Sequence, residues 1–260
     1  MQNSTYLQEC FNKNKLSRWQ QGLMPLKFFI APFSFYSKQS ETEKYKYREM
    51  VIRALNTWES LSNGTVSFEI VTNLNDSQVN LEWKRVDRKS LGMCHFNFDK
   101  FGRYYSAEVQ IGISDGILHS QYMDDNEVYH TILHEIGHAV GLGHSPYPDD
   151  IMYTPHQYGR INLTKRDIKT LKWLYKFEIG KTESEILALH PNTGAKNIDE
   201  LVGKLSGEKS QFEQVKDSLL SAPKRNLIEE NQNIGDLKKY LMQIHNQNFN
   251  LSGKIEENKE

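Results

Sequence analysis

The stretch His134–His144, HEIGHAVGLGH, sets three histidines and a glutamate at spacings that suit one metal ion and a base beside it. An α-helix turns once in about 3.6 residues. His134 and His138, four positions apart, therefore project from one face as a two-nitrogen clamp. Glu135 follows the first histidine directly, which puts its carboxylate at the edge of the same site, suited to taking a proton from water. Gly141 lets the chain leave the helix sharply, because glycine carries no Cβ penalty at positive φ. That turn returns His144 as a third nitrogen. Three neutral imidazoles with an open fourth position suit a single catalytic zinc and not a closed structural one. A lone histidine pair on a helix is commonly surface decoration or a satisfied core group; five specified residues at fixed positions are a different matter.

Working outward, the motif helix is expected to begin near Asn126, with Ile132, Leu133, Ile136, Ala139 and Val140 as its core stripe and the two histidines roughly opposite. His130, one turn before His134, reads as a capping or supporting histidine, since three ligands already stand at better spacing. Upstream, Asp99–Arg103 with Gly102 predicts a hairpin turn whose second arm is Ser106–Ile113. Val79, Leu81 and Trp83 alternate as a strand, as do Val66, Phe68 and Ile70, and Pro25–Ile30 reads as a short buried strand. Between them Glu41–Ser62 carries Met50, Val51, Ala54, Leu55, Trp58 and Leu61 at helical spacing, stopped by Asn63-Gly64. Downstream, Thr164 with Asp167 marks a helix start, followed by the stripe Ile168, Leu171, Leu174 and Tyr175.

These elements divide the chain into a polar leader over 1–17, a catalytic domain over 18–177 and a helical, partly disordered extension over 178–260. Helical stretches in the extension are expected at Thr182–Leu189, Ile198–Leu205 and Asn226–His245. With 260 residues, one sizeable domain plus an extension fits. The formal charge is −1, from 32 basic and 33 acidic residues, so nothing points to nucleic acid or an anionic membrane. No apolar run reaches the roughly 18 residues a membrane span needs. The first fifteen residues show no apolar signal core, so the chain reads as cytoplasmic unless its N-terminus is incomplete. Cys10 and Cys94 permit at most one disulfide and leave the compartment open, and Cys10 reads as a plain free thiol.

HEIGHAVGLGHS followed by Met152 resembles the metzincin clan of zinc endopeptidases, whose extended pattern is well known. Within the clan it is similar to the matrixins, the matrix-metalloproteinase-like family. Ser145 after the third histidine is the matrixin habit, and Met152 matches the methionine of the Met-turn, a hydrophobic floor beneath the zinc. Thr154 stands where astacin-like and serralysin-like members place a tyrosine. The resemblance covers roughly Leu16 to Lys176. It implies an α+β (mixed α/β) domain with a twisted, mostly parallel sheet carrying an antiparallel edge strand, a long helix, the zinc helix and a closing helix. It also implies an extended peptide substrate paired to the edge strand, near which Ser106–Ile113 would lie by position, and a secreted setting if the N-terminus is incomplete. Three departures stand out. The Pro-Arg-Cys-Gly propeptide motif is absent, and the Arg85–Ser106 segment lacks the His- and Asp-rich loop that holds structural zinc and calcium. The residues Tyr153–Tyr158 also run longer than the family's Pro-x-Tyr wall.

The expected activity is therefore that of a zinc endopeptidase, a monomer with one Zn²⁺ on His134, His138 and His144 and Glu135 as general base. A non-catalytic zinc-binding scaffold is the alternative. A short HExxH aminopeptidase would need Glu178, Glu183 or Glu185 as third ligand, although His144 already fills that place.

Overall fold

Alternating apolar residues build the central sheet, each strand burying one face as a period of two requires. The computed structural model describes residues 4–33, 41–85, 91–114 and 124–207. A small hairpin of β1 (Phe11–Asn12) and β2 (Lys15–Leu16) comes first. Five strands then form one sheet: β3 (Leu26–Ile30), β4 (Phe68–Val71), β5 (Val79–Arg85), β6 (Gly92–Phe98) and β7 (Tyr104–Ile113), in the order β4-β3-β5-β7-β6. Three of the four pairings are parallel, and β6 runs antiparallel to β7 at the edge. The mostly parallel sheet with an antiparallel edge strand is thus the one the resemblance implies.

In the β6–β7 turn Asp99 Oδ1 accepts the N–H groups of Phe101 (2.8 Å) and Arg103 (3.0 Å), and Gly102 takes φ +79°. One expectation shifts. The arm Ser106–Ile113 lies inside the sheet, paired on both sides, and β6 forms the edge. Its pattern is weaker because Met93, His95 and Asn97 face solvent while Cys94, Phe96 and Phe98 are only half-buried.

Helix α1 (Glu41–Leu61) ends at Asn63 and Gly64, both at positive φ (55° and 71°). It packs on α2 (Asp125–Ala139), where the fully buried Trp58 donates from Nε1 to the Leu133 carbonyl at 3.1 Å. Helix α2 in turn lies against β6 and β7. Helix α3 (Lys165–Leu174) opens with the expected capping box of Thr164 and Asp167. Two further helices follow, α4 (Glu183–Ala188) and α5 over residues 198–207.

The core extends past both ends of the predicted domain. Tyr6, Leu7, Cys10 and Leu16 are buried on one side, and Ile186, Ile198, Leu201 and Val202 on the other. The compact unit runs from Met1 to Glu208, and a second comprises Lys209–Glu260. The polar leader and the first part of the extension therefore belong to the folded unit, while the helix expected at Asn226–His245 lies outside the described residues. Buried Asp199 on α5 explains the joining of the two ends: it accepts from Thr5 Oγ1 (2.5 Å), Leu7 N (2.8 Å) and Gln8 N (3.4 Å). Cys10 and Cys94 are both free thiols. Among the described residues no helix is long and apolar enough to cross a membrane.

Candidate metal centre

Asp124 caps α2 by accepting the Asn126 N–H at 2.7 Å, and the helix buries Val128, Ile132, Leu133, Ile136 and Ala139. His134 and His138 stand off that stripe, half-buried. The helix ends as the sequence predicts. Gly141 takes φ +106°, its N–H donates to the His138 carbonyl (2.9 Å), and the Leu142 N–H donates to the Gly137 carbonyl (2.9 Å). Those two bonds form a Schellman motif, which only a residue tolerant of positive φ closes cheaply.

The turn brings His144 back. One ring nitrogen from each of His134, His138 and His144 lies within 4.8 Å of the others. The Nε2 atoms of His138 and His134 are 3.2 Å apart, and those of His138 and His144 3.1 Å. Two nitrogens each about 2.0–2.1 Å from a tetrahedral zinc stand roughly 3.3–3.4 Å apart, so the spacing fits one ion.

The chemistry of the donors agrees. His134 Nδ1 lies 2.8 Å from the Ile151 carbonyl, and His138 Nδ1 lies 2.8 Å from the Leu142 carbonyl. A carbonyl only accepts, so each Nδ1 carries the proton and each Nε2 presents a lone pair. Two lone pairs facing across 3.2 Å repel unless a cation lies between them. Desolvation lowers the pKa of all three imidazoles: His134 well below its ordinary value, His138 down to about 4, and the more exposed His144 lower as well.

Glu135 is buried beside them, and burial pushes its carboxyl up to about 8. Among the described residues its Oε2 has no hydrogen-bond partner. Leaving such an atom unpaired costs about 1–3 kcal/mol, which marks it as a polar group aimed at something other than the protein. Gly92, at the start of β6, makes room for this side chain, since a Cβ there would lie 2.6 Å from Glu135 Oε1.

Met152 is fully buried against Gly137, where an added Cβ would stand 2.3 Å from its sulfur. Its carbonyl accepts the Ser145 N–H at 2.8 Å. Ser145 Oγ donates to Asp150, whose carboxylate also accepts from Thr164 Oγ1 (2.7 Å) and Arg166 Nη1 (3.0 Å). This loop is thus fixed to the start of α3.

Of the residues singled out in the sequence, His134, His138, His144, Glu135 and Met152 all fall in this region. Glu183 and Glu185 do not; they accept from Ile198 N and cap α4, respectively. His130 serves as a support, its Nδ1 2.6 Å from the Arg160 carbonyl and its ring edge-on to His156 at 4.1 Å. Sequence reasoning missed Glu127. That buried carboxylate meets His156 Nε2 and accepts the Gly159 N–H at 2.9 Å, tying residues 156–160 to α2. A signal was present: Glu127, His130 and His134 follow at i, i+3 and i+7 on one helix face.

Fold and site together define a mixed α/β scaffold able to hold one metal ion on three histidines of a helix and the turn after it. The family profile described as Matrixin matches residues 19–176, and the chain belongs to that family, whose members depend on zinc. A putative matrix metalloproteinase of Heliothis virescens ascovirus 3e is 27% identical over 163 residues, which is 54% of this chain and 34% of that protein. A probable matrix metalloproteinase of Invertebrate iridescent virus 3 is 38% identical over 68 residues, 26% of this chain and 18% of the relative. Metalloendoproteinase 1 of Glycine max is 23% identical over 180 residues, 62% of this chain and 53% of the relative. The chain thus spans about half the length of the plant relative, about a third of the ascovirus one and less than a fifth of the iridescent-virus one.

Proposed function

We propose that this chain is a zinc-dependent endopeptidase that hydrolyses internal peptide bonds, with His134, His138 and His144 as the metal ligands. The observation that carries the reading is the convergence of three neutral imidazole nitrogens beside a buried carboxylate with one unpaired oxygen. Zinc, when bound, polarises the scissile carbonyl and lowers the pKa of water toward about 7. Ile151 and Leu142 hold the His134 and His138 rings in the tautomer that presents a lone pair at Nε2. Glu135 accepts a proton at its carboxylate and passes it to the departing amine. Met152 forms the apolar floor beneath the helix at Gly137. The substrate lies extended along β6, which among the described residues pairs on one side only and so presents backbone groups to a peptide.

A Glu135→Ala variant tests the base. It should retain zinc by mass spectrometry and lose about 10²–10⁴ of its rate on a peptide library. Wild-type turnover by that variant would reject Glu135 as the base. A folded protein that takes up no zinc would reject the metal site. Zinc-loaded protein inactive across the library would make the chain a binding scaffold of the same fold.

A further inference from the structure

The metal ligands are braced by a segment that lies far from them in sequence. The turn Leu7–Cys10 starts where Asp199 of α5 accepts the Leu7 and Gln8 N–H groups and the Thr5 hydroxyl. At its other end the turn meets the residue before the third histidine. The Gly143 N–H donates to Cys10 Sγ at 3.4 Å, and a Cβ on Gly143 would lie 1.9 Å from the Glu9 carbonyl oxygen. A second path leaves the same segment. Tyr6 OH donates to Asp167 Oδ1 (2.7 Å), Asp167 Oδ2 accepts the Ile151 N–H (3.1 Å), and the Ile151 carbonyl holds His134 Nδ1 (2.8 Å). Tyr6, Cys10, Asp167 and Asp199 are all buried, so none of these bonds exchanges readily with water.

We propose that Asp199 is a positioning residue for the metal centre: through residues 5–10 it holds the backbone carrying His144 and the carbonyl orienting His134. This rests on the proposed zinc site. It gives residues 178–207 a role, since α5 supplies the carboxylate of Asp199 that caps the bracing turn. Groups that orient a metal's ligands commonly change metal affinity by 10–100-fold when removed. Asp199 acts one step further out, so the lower end of that range applies.

The test is zinc affinity, measured by competition with a chromophoric chelator, on folded full-length protein. Asp199→Ala should weaken zinc binding about tenfold, while Asp199→Asn, which keeps the oxygen facing Thr5 and Leu7, should recover most of the loss. A purely structural carboxylate would lower the melting temperature of the alanine variant and leave the zinc affinity of the folded fraction unchanged; that result overturns the proposal. If Asp199→Ala does not fold, Tyr6→Phe carries the test, because it removes only the hydroxyl bonded to Asp167. Wild-type zinc affinity in Tyr6→Phe would then also overturn it. Absence of zinc binding in the wild type fails the proposed function instead, so the two failures are told apart.

Discussion

His134 and His138 stand on a helix, whereas His144 stands on a turn, and the two settings are stabilised by different means. The helix pair is fixed by local geometry: four residues set its spacing, and α2 is pinned to the core by Trp58 and the sheet. Of its own the turn has its Schellman bonds and the bond from His138 Nδ1 to the Leu142 carbonyl. Further support comes from the Ser145 bond to the Met152 carbonyl and from Glu9 and Cys10, more than a hundred residues earlier, and through the latter from Asp199. A helix-borne ligand thus inherits its position from the hydrophobic core, while a turn-borne ligand depends on particular distant contacts.

The largest expected effect tests the helix side. Trp58 is fully buried and bonded to the Leu133 carbonyl. Trp58→Ala should cost about 3–5 kcal/mol in urea denaturation of the zinc-free protein. A loss below about 1 kcal/mol would mean that α2 is not held by this contact, and the contrast between helix and turn would weaken.

Next in size is Gly143→Ala on the turn side. The new methyl would meet the Glu9 carbonyl at 1.9 Å, and backbone cannot swing aside as a side chain can. Overpacking of this kind costs about 1–3 kcal/mol. The damage should fall on zinc affinity as well as stability, because His144 is the next residue. Unchanged chelator competition in a destabilised Gly143→Ala protein would separate the turn's packing from its function.

The same contrast explains what the sequence made legible. HEIGHAVGLGH, the Asp99–Arg103 hairpin and the Thr164/Asp167 capping box are local patterns whose partners lie within a few residues, and each appears where it was expected. The edge position of β6 was hidden because its alternation is half polar. Residues 5–17 and 178–207 were read as leader and extension because their composition is polar. Their place in the fold depends on a few buried bonds spanning 161 to 194 positions. One clue was available. Ile198, Leu201, Val202 and Leu205 repeat at i, i+3, i+4 and i+7, an apolar stripe that must be covered by something.

A smaller effect probes the bracing segment by pH. Burial pushes the Cys10 thiol from its ordinary value of 9.0 up to about 12. The unfolded chain therefore releases this proton first as pH rises, so the Cys10 contribution to stability is constant below about 9 and declines between 9 and 12, by on the order of 1 kcal/mol per pH unit. The half-buried Cys94 shifts in the same direction, and buried Tyr6 begins to add its own share only above about pH 10. Melting curves at pH 9 and 10 should thus separate wild type from Cys10→Ala, with the variant showing the shallower decline. Equal slopes would place Cys10 in contact with solvent and loosen the proposed brace.

The smallest expected effect is Gly137→Ala, the helix counterpart of Gly143→Ala. Two terms oppose each other here. Alanine in a helix interior is favoured over glycine by about 0.8–1.0 kcal/mol. Against this, the new Cβ would lie 2.3 Å from Met152 Sδ and 3.1 Å from a ring carbon of Trp58. The thioether is flexible and adapts to irregular space, so Met152 can withdraw, and the net cost in denaturation should stay under about 1 kcal/mol. Since Met152 lies against the turn of α2 that carries both helix ligands, its displacement should register more in zinc affinity than in stability. A loss of stability as large as that of Gly143→Ala would show that a side-chain neighbour is as unyielding as a backbone one. The helix ligands would then depend on their particular contacts no less than the turn ligand does.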